Sequence, residues 1–306
     1  MTTIRTAERP APDTSTGRHL QKPVVEWYGL HARDLPWRAV ERTPWGVLVS
    51  EFMLQQTPVA RVEPVWREWL DRWPAPAALA AEQPGTAIRA WGRLGYPGRA
   101  LRLHAAAHAI VERHSGVVPS SLQELRELPG VGDYTAAAVA AFAFGQRHAV
   151  LDTNVRRVLA RAVRGIATPA PAPTVAERRM AESLLPDNGS AAIWSVAVME
   201  LGALVCTARS PQCHNCPIAA SCAWRLAGFP ADAGPVRPTQ RWNGTDRQVR
   251  GRLMAVLREA EGAVTKARLD LSWPHYPQQR ERALDGLIAD GLVEPLAGGR
   301  YRLPTS

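Results

Sequence analysis

The chain of 306 residues almost lacks lysine: Lys22 and Lys266 are the only two, and every other one of its 37 basic residues is arginine. A mechanism that needs a side-chain amine as nucleophile has very few places to find one. Cysteine is nearly as scarce, its four residues confined to 206–222. That pattern excludes a disulfide-stapled scaffold. No apolar run reaches the roughly 18 residues that a membrane span needs. The opening MTTIRTAERPAPDTSTGRH has no apolar segment of the signal-peptide kind. Residues 1–22 therefore read as a disordered tail, and the protein is expected in the cytoplasm, nucleoid-associated if bacterial, with its thiols reduced. Strand alternation is almost absent over 24–229, and no internal repeat is visible.

What is present is apolar residues (46%), 11 Trp and a positive balance, 37 Lys+Arg against 28 Asp+Glu for a net +9 and a pI near 10.1. The length suggests two or three domains, and the charge favours a polyanionic partner, nucleic acid first. Abundant Ala, Arg and Pro also read as composition bias, so single arginines are not assigned to phosphates. PVWREWLDRW, ALRLHAAAHAIVERH, DYTAAAVAAFAFG and NVRRVLARAV carry apolar residues at helical spacing. Thr43-Pro44 and Thr57-Pro58 each set a cap residue before Pro at the first helical position, and Ser121 with Glu124 reads as a capping box. Residues 230–245 are rich in Pro and Gly and read as a linker. Beyond them, 246–306 show helix, helix, helix and hairpin, the outline of a winged helix. Arg247, Arg250, Arg252, Lys266 and Arg268 there suit duplex contact or a solvated face equally.

Three stretches carry chemistry. Cys206, Cys213, Cys216 and Cys222 follow C-x6-C-x2-C-x5-C; one close pair rather than two knuckles favours an iron–sulfur cluster over zinc. In SLQELRELPGVGDYTAAAVAAFAFG, a turn at Pro129-Gly130-Val131-Gly132 joins two helices, and its glycines with the free N–H groups of the second helix suit a phosphate; an ordinary packing elbow is the plain alternative. Glu51 stands in the apolar helix WGVLVSEFML, where a carboxylate has no structural reason to be. Asp152, in LDTNVRRVLAR, is at least the N-cap of the helix that follows.

Taken in order, Glu51 before QQT, LPGVG-x-YT followed by LDTNV, and the cysteine loop resemble the helix–hairpin–helix, iron–sulfur DNA glycosylases, and among them the MutY-type adenine glycosylases. The similarity spans about 24–230, including LPWR at 35–38 and LGY at 94–96. It implies an all-α, two-domain glycosylase fold: a helical domain at 43–150 with the hairpin, and a cluster domain from 23–42 and 151–229 holding one 4Fe-4S cluster. It implies a flipped adenine and Glu51 as the general acid at adenine N7, kept protonated by burial. Asp152 is the implied carboxylate for the oxocarbenium-like sugar, and Asn154 beside it joins the catalytic candidates. Gln55, Gln56, Thr57 and Tyr96 are implied to wedge into the duplex. Pro129, Gly130, Val131 and Gly132 would grip its backbone, and Arg209, in the cluster loop, is a further DNA-binding candidate. Tyr134 stands where endonuclease III relatives place the lysine of a Schiff-base lyase, which implies a monofunctional enzyme. The expectation is a monomeric base-excision glycosylase acting on duplex DNA with adenine opposite 8-oxoguanine or guanine. Its rivals are a thymine or uracil mismatch glycosylase and a non-catalytic iron–sulfur DNA-binding protein. The resemblance stops before 240–306, where the family's usual strand-rich 8-oxoguanine domain would stand.

Overall fold

A computed structural model of the chain describes residues 14–187, 189–231 and 244–305. Most of the expected linker lies outside them, as do residues 1–13. Residues 14–22, read above as tail, are helical: a 3₁₀ turn at Thr14–Leu20 leads into helix α1 (Gln21–His31). Leu20 and Val24 are buried, which anchors that segment. The chain continues through α2 (Pro44–Leu54), α3 (Val59–Arg72), α4 (Pro76–Ala80), α5 (Pro84–Trp91), α6 (Gly98–His114), α7 (Leu122–Arg126) and α8 (Asp133–Phe144). Then come α9 (Thr153–Ala162), α10 (Val175–Ser183), α11 (Ala191–Leu204) and the short α12 (Ala223–Leu226). Last are α13 (Asp246–Glu259), β1 (Val264–Thr265), α14 (Lys266–Leu271), α15 (Pro277–Ala289), β2 (Glu294–Leu296) and β3 (Arg300–Arg302). Among the described residues the fold is mostly helical, with one small antiparallel sheet in the order β1-β3-β2. Among the described residues no helix is long and apolar enough to cross a membrane.

The described residues of Met1–Asp34 and Ala140–Pro235 form one compact unit, and those of Leu35–Val139 and Val236–Ser306 another. In the first, α1, α9 and α11 close a core around Trp27, Val158, Leu159, Trp194 and Leu201, against which Cys206, Cys216 and Cys222 also pack. Helices α9 and α11 approach so closely that a Cβ on Gly202 would stand 2.7 Å from Asn154 Cβ. In the second unit the core is aromatic: Trp69 meets Trp73 and Trp91 edge to face, with centroids 4.6 and 5.7 Å apart.

Helix α2 explains itself from its sequence. Thr43 accepts from the Gly46 N–H and Pro44 opens the helix, as expected from the Thr-Pro pair. Every residue from Trp45 to Met53 is buried, as a helix that is apolar all round must be. Ser50 is accommodated by donating to the Val47 carbonyl at 2.7 Å.

Thr57-Pro58 does not behave the same way. Helix α3 starts at Val59 with Pro58 at the cap position and no side-chain cap. The Thr57 hydroxyl is drawn instead into contacts with Leu94 and Arg99. Ser121 accepts from Glu124 N at 3.5 Å, and a reciprocal capping box closes at Thr174 and Glu177.

The C-terminal residues run helix, strand, helix, helix, hairpin. Lys266 Nζ lies 2.6 Å from both Asp270 and Glu281. Burial works against its charge, but those two hydrogen bonds outweigh it and hold its pKa above the ordinary value. Arg250 pairs with Asp290. Two of the basic residues singled out in this segment are therefore already matched by acids.

Candidate functional site

Each unit presents one part of the predicted machinery. In the unit with the aromatic core, α2 carries Glu51, which is only 6% exposed. Immediately after α2 the chain turns through Gln55, Gln56 and Thr57. Gln56 is exposed and adopts the left-handed conformation, φ 55°. Tyr96, in the turn before α6, is also left-handed, φ 49°, and 44% exposed. Side chains rarely accept that conformation, which costs on the order of 1–3 kcal/mol unless the surroundings impose it.

Arg99 imposes it. Its buried guanidinium donates to the carbonyls of Phe52 (2.9 Å), Met53 (3.1 Å), Gln55 (2.6 Å) and Gly95 (3.0 Å), and to Thr57 Oγ1 (3.1 Å). These bonds satisfy carbonyls left over at the end of α2 and tie the QQT turn to the LGY turn. Burial pulls the Arg99 pKa down to about 10, still well above neutrality, so the clamp stays cationic. Thr57 Oγ1 also lies 3.3 Å from the Leu94 carbonyl. The structure thus brings Gln55, Gln56, Thr57 and Tyr96 together through a residue that its sequence context does not single out.

The hairpin lies between α7 and α8. Val131 is buried and holds the turn in place, while Gly130 and Gly132 are exposed and Pro129 half-buried. Gly130 has φ 78°, and a Cβ there would meet Arg102 Cβ at 2.7 Å and Phe52 at 3.0 Å, so this position requires glycine. Arg126 and Asp133 form an ion pair across the turn at 2.8 Å. Tyr134 is half-buried in the first turn of α8.

In the other unit Asp152 caps α9: Oδ1 accepts from the Val155 N–H at 2.6 Å and Oδ2 from Asn154 Nδ2 at 2.7 Å. Burial raises its pKa above the ordinary value, opposed by the bonds from Val155 and Asn154 and by the charge of Arg157. Arg157 Nη2 donates to Asn154 Oδ1 at 2.7 Å and to the Gly202 carbonyl at 2.7 Å, and its Nε donates to the Cys206 carbonyl at 2.7 Å. A continuous chain of hydrogen bonds therefore runs from the Asp152 carboxylate to the first cysteine.

The cysteine loop is built onto the same helix. Arg161, one turn beyond Arg157, donates to Cys206 Sγ at 3.4 Å and to the carbonyls of Thr207 and Ala208. Its guanidinium lies 4.7 Å from the centre of the Trp224 ring. All four cysteines are free thiols and half-buried. They line one cavity together with Val158, Leu201, Ile218 and Trp224. Among the described residues no three His, Cys, Asp or Glu side chains gather at the spacing of ligands on a single ion; the thiols ring a space instead. A polynuclear iron–sulfur group, which needs four thiolates around a volume, fits that arrangement. Burial pushes the Cys216 thiol up to about 11 and Cys213 upward as well, so binding iron must drive those protons off. Arg209 is exposed in the loop after Cys206.

Arg99, Arg157 and Arg161 are the residues that sequence reasoning missed. Arg99 stands three residues after Tyr96, a local hint, but its partners at 52–57 are distant in the chain.

The family model "HhH-GPD superfamily base excision DNA repair protein" matches residues 49–185, and the "iron-sulfur binding domain of endonuclease III" matches 206–222. An adenine DNA glycosylase of Mycobacterium tuberculosis is 53% identical over 298 residues, 96% of this chain and 97% of that protein. The human adenine DNA glycosylase is 40% identical over 210 residues, 65% of this chain and 38% of that much longer protein. Among solved structures, a thermostable thymine-DNA glycosylase superposes with a TM-score of 0.62 at 23% identity, covering 70% of this chain and 98% of that one; at that identity the likeness concerns the fold.

Proposed function

The chain belongs to the HhH-GPD superfamily of base excision DNA repair proteins and, within it, to the adenine DNA glycosylases, and on that premise we propose that it hydrolyses the N-glycosidic bond of adenine mispaired with 8-oxoguanine or guanine. The observation that carries the reading is a carboxyl, Glu51, only 6% exposed on the helix that ends in the QQT turn. In the role proposed here Glu51 donates a proton to N7 of the extruded base. Protonation lets adenine depart neutral, the bonding electrons leaving with it. Asp152, ionised, offsets the positive charge that develops on the sugar. Water then adds at the anomeric carbon and returns a proton to solvent. Asn154 and Arg157 keep the Asp152 carboxylate oriented through the bonds described above. Glu51 and Asp152 divide the work as general acid and charge stabiliser.

Gln55, Gln56, Thr57 and Tyr96 enter the duplex and offset the cost of unstacking, about a few kcal/mol per step. The turn at 129–132 holds a phosphate through backbone N–H groups, giving grip without sequence preference, and Arg209 adds a further contact to the strand. Tyr134, in place of a lysine, leaves no amine to attack the sugar, so strand cleavage does not accompany base release. The enzyme works as a monomer. Cys206, Cys213, Cys216 and Cys222 hold one 4Fe-4S cluster, which supplies the cross-link that folds residues 206–222 and presents Arg209.

The test is single-turnover base release from duplexes carrying A opposite 8-oxoguanine, A opposite G and T opposite G, with and without alkali. Adenine release with strand breaks only after alkali supports the reading; thymine release, or breaks without alkali, overturns it. Glu51→Gln is expected to slow adenine release by at least about 10²-fold while duplex binding is kept.

A further inference from the structure

Two guanidinium groups lie against the Tyr96 ring, and they come from distant parts of the chain. Arg99, from α6, stands 5.6 Å from its centre. Arg247, from the first turn of α13, stands at 4.6 Å, within the distance at which a cation is drawn to an aromatic face. Tyr96 and Arg247 are both exposed, so this contact faces solvent and whatever approaches from it. Arg61 and Arg93 are exposed nearby in the chain's fold, Arg61 donating to the Arg93 carbonyl. Burial first, and then the charge of Arg93, lowers the pKa of Arg258, which lies within electrostatic reach of Arg93.

Arg247 is held at Tyr96 by a docked module. The Gly85 N–H donates to the Pro304 carbonyl at 2.8 Å. Arg89 donates to the carbonyls of Ala260, at 2.7 Å, and Arg258. A Cβ at Gly85 would meet the Pro304 carbonyl oxygen at 2.6 Å and Leu303 Cβ at 2.9 Å. Backbone packs on backbone there, and nothing larger than glycine fits. Residues 246–305 are thus fixed to α5 by contacts that set where α13 begins.

We propose that Arg247 is a positioning residue for the Tyr96 wedge, and that through it the C-terminal module sets how strongly the enzyme distinguishes one mispair from another. A ring whose orientation is already fixed loses less freedom when it enters a base stack. The guanidinium beside it also brings positive charge to a step flanked by phosphates. A step that resists unstacking depends on the wedge more than one that yields easily, so loosening the ring changes the ratio of rates between mispairs. The inference rests on the proposed function both for the base released and for the entry of Tyr96 into the duplex.

The experiment places 2-aminopurine beside A opposite 8-oxoguanine, or beside A opposite G, and follows both its fluorescence, which rises on unstacking, and single-turnover adenine release. Arg247→Ala is expected to lower both by about fivefold on the more resistant of the two duplexes, with Arg247→Lys restoring most of the loss and Arg247→Met restoring none. In a Tyr96→Ala background Arg247→Ala should cost less than about twofold, because its partner is gone. Gly85→Val, which leaves both side chains intact and displaces the module, should reproduce Arg247→Ala. An equal loss with and without Tyr96 overturns the proposal in favour of an independent strand contact, as does an unchanged fluorescence rise in Arg247→Ala; both outcomes can be read even if Gly85→Val does not fold. If wild-type protein raises the fluorescence but releases no adenine, the proposed function fails and the wedge assignment is still decided by the fluorescence.

Discussion

In the role proposed for it Asp152 has to be ionised, yet it is held where burial favours the neutral acid. The bonds from Val155 and Asn154 and the nearby Arg157 recover part of that cost without cancelling it. Because its pKa in the folded protein lies above the ordinary 3.8, the native state holds this proton more tightly than the unfolded chain. The group therefore favours folding fully at pH below 3.8, and that contribution is lost as pH rises through the folded-state value. Asp152→Asn keeps a residue able to cap α9 and has no charge to bury. Thermal melts across an acid-to-neutral series are expected to show it more stable than wild type at neutral pH, the gap closing as pH falls towards about 4. The same variant should release no adenine, and the wild-type rate should fall on acidification with an apparent pKa above 3.8.

Among the elements, the Arg99 clamp and the hairpin turn each hold backbone in a conformation it would not choose alone. Arg99→Ala leaves the carbonyls of Phe52, Met53, Gln55 and Gly95 without their donor in a buried place. Chemical denaturation should report a loss of about 3 kcal/mol, and base release should slow further than stability alone explains, since the turns at 55–57 and 94–96 are both released. Gly130→Ala forces a side chain into φ 78° and into contact with Arg102, a cost of about 1–3 kcal/mol. Its effect on DNA should be uniform, weakening matched and mispaired duplexes by the same factor, as checked by titration of each. These two elements were unequally legible in sequence. LPGVG announces its turn by glycine alone, and WGVLVSEFML announces a buried helix with a misplaced acid. Thr57-Pro58 misled, because the same pair that caps α2 at Thr43 is here captured by Arg99 across a separation of 42 residues. Long-range side-chain bonds leave no periodicity to read, and in a chain whose basic residues are nearly all arginine no single arginine stands out. Asp152 was legible as a cap, while its link through Asn154 and Arg157 to Cys206 depends on how α9 packs on α11.

At the scale of the whole molecule, the net charge of +9 and the cysteine loop have separable consequences. Duplex affinity should fall linearly with the logarithm of salt, with a slope of about −0.9 for each phosphate neutralised, read from binding isotherms at several ionic strengths. Stripping the iron, by contrast, removes the cross-link that Arg161 and the four thiols surround. It should lower the melting temperature and mobilise 206–222 in hydrogen exchange before the aromatic core opens.

The ion pairs of Lys266 have a further, practical meaning for anyone who wishes to attach something to this protein. Amine-directed reagents attack the neutral amine, and Lys266, gripped by Asp270 and Glu281 with its pKa held up, offers very little of it. Lys22, whose side chain is 84% exposed, stands open to such reagents. Mild acylation should therefore modify Lys22, on α1, well before Lys266.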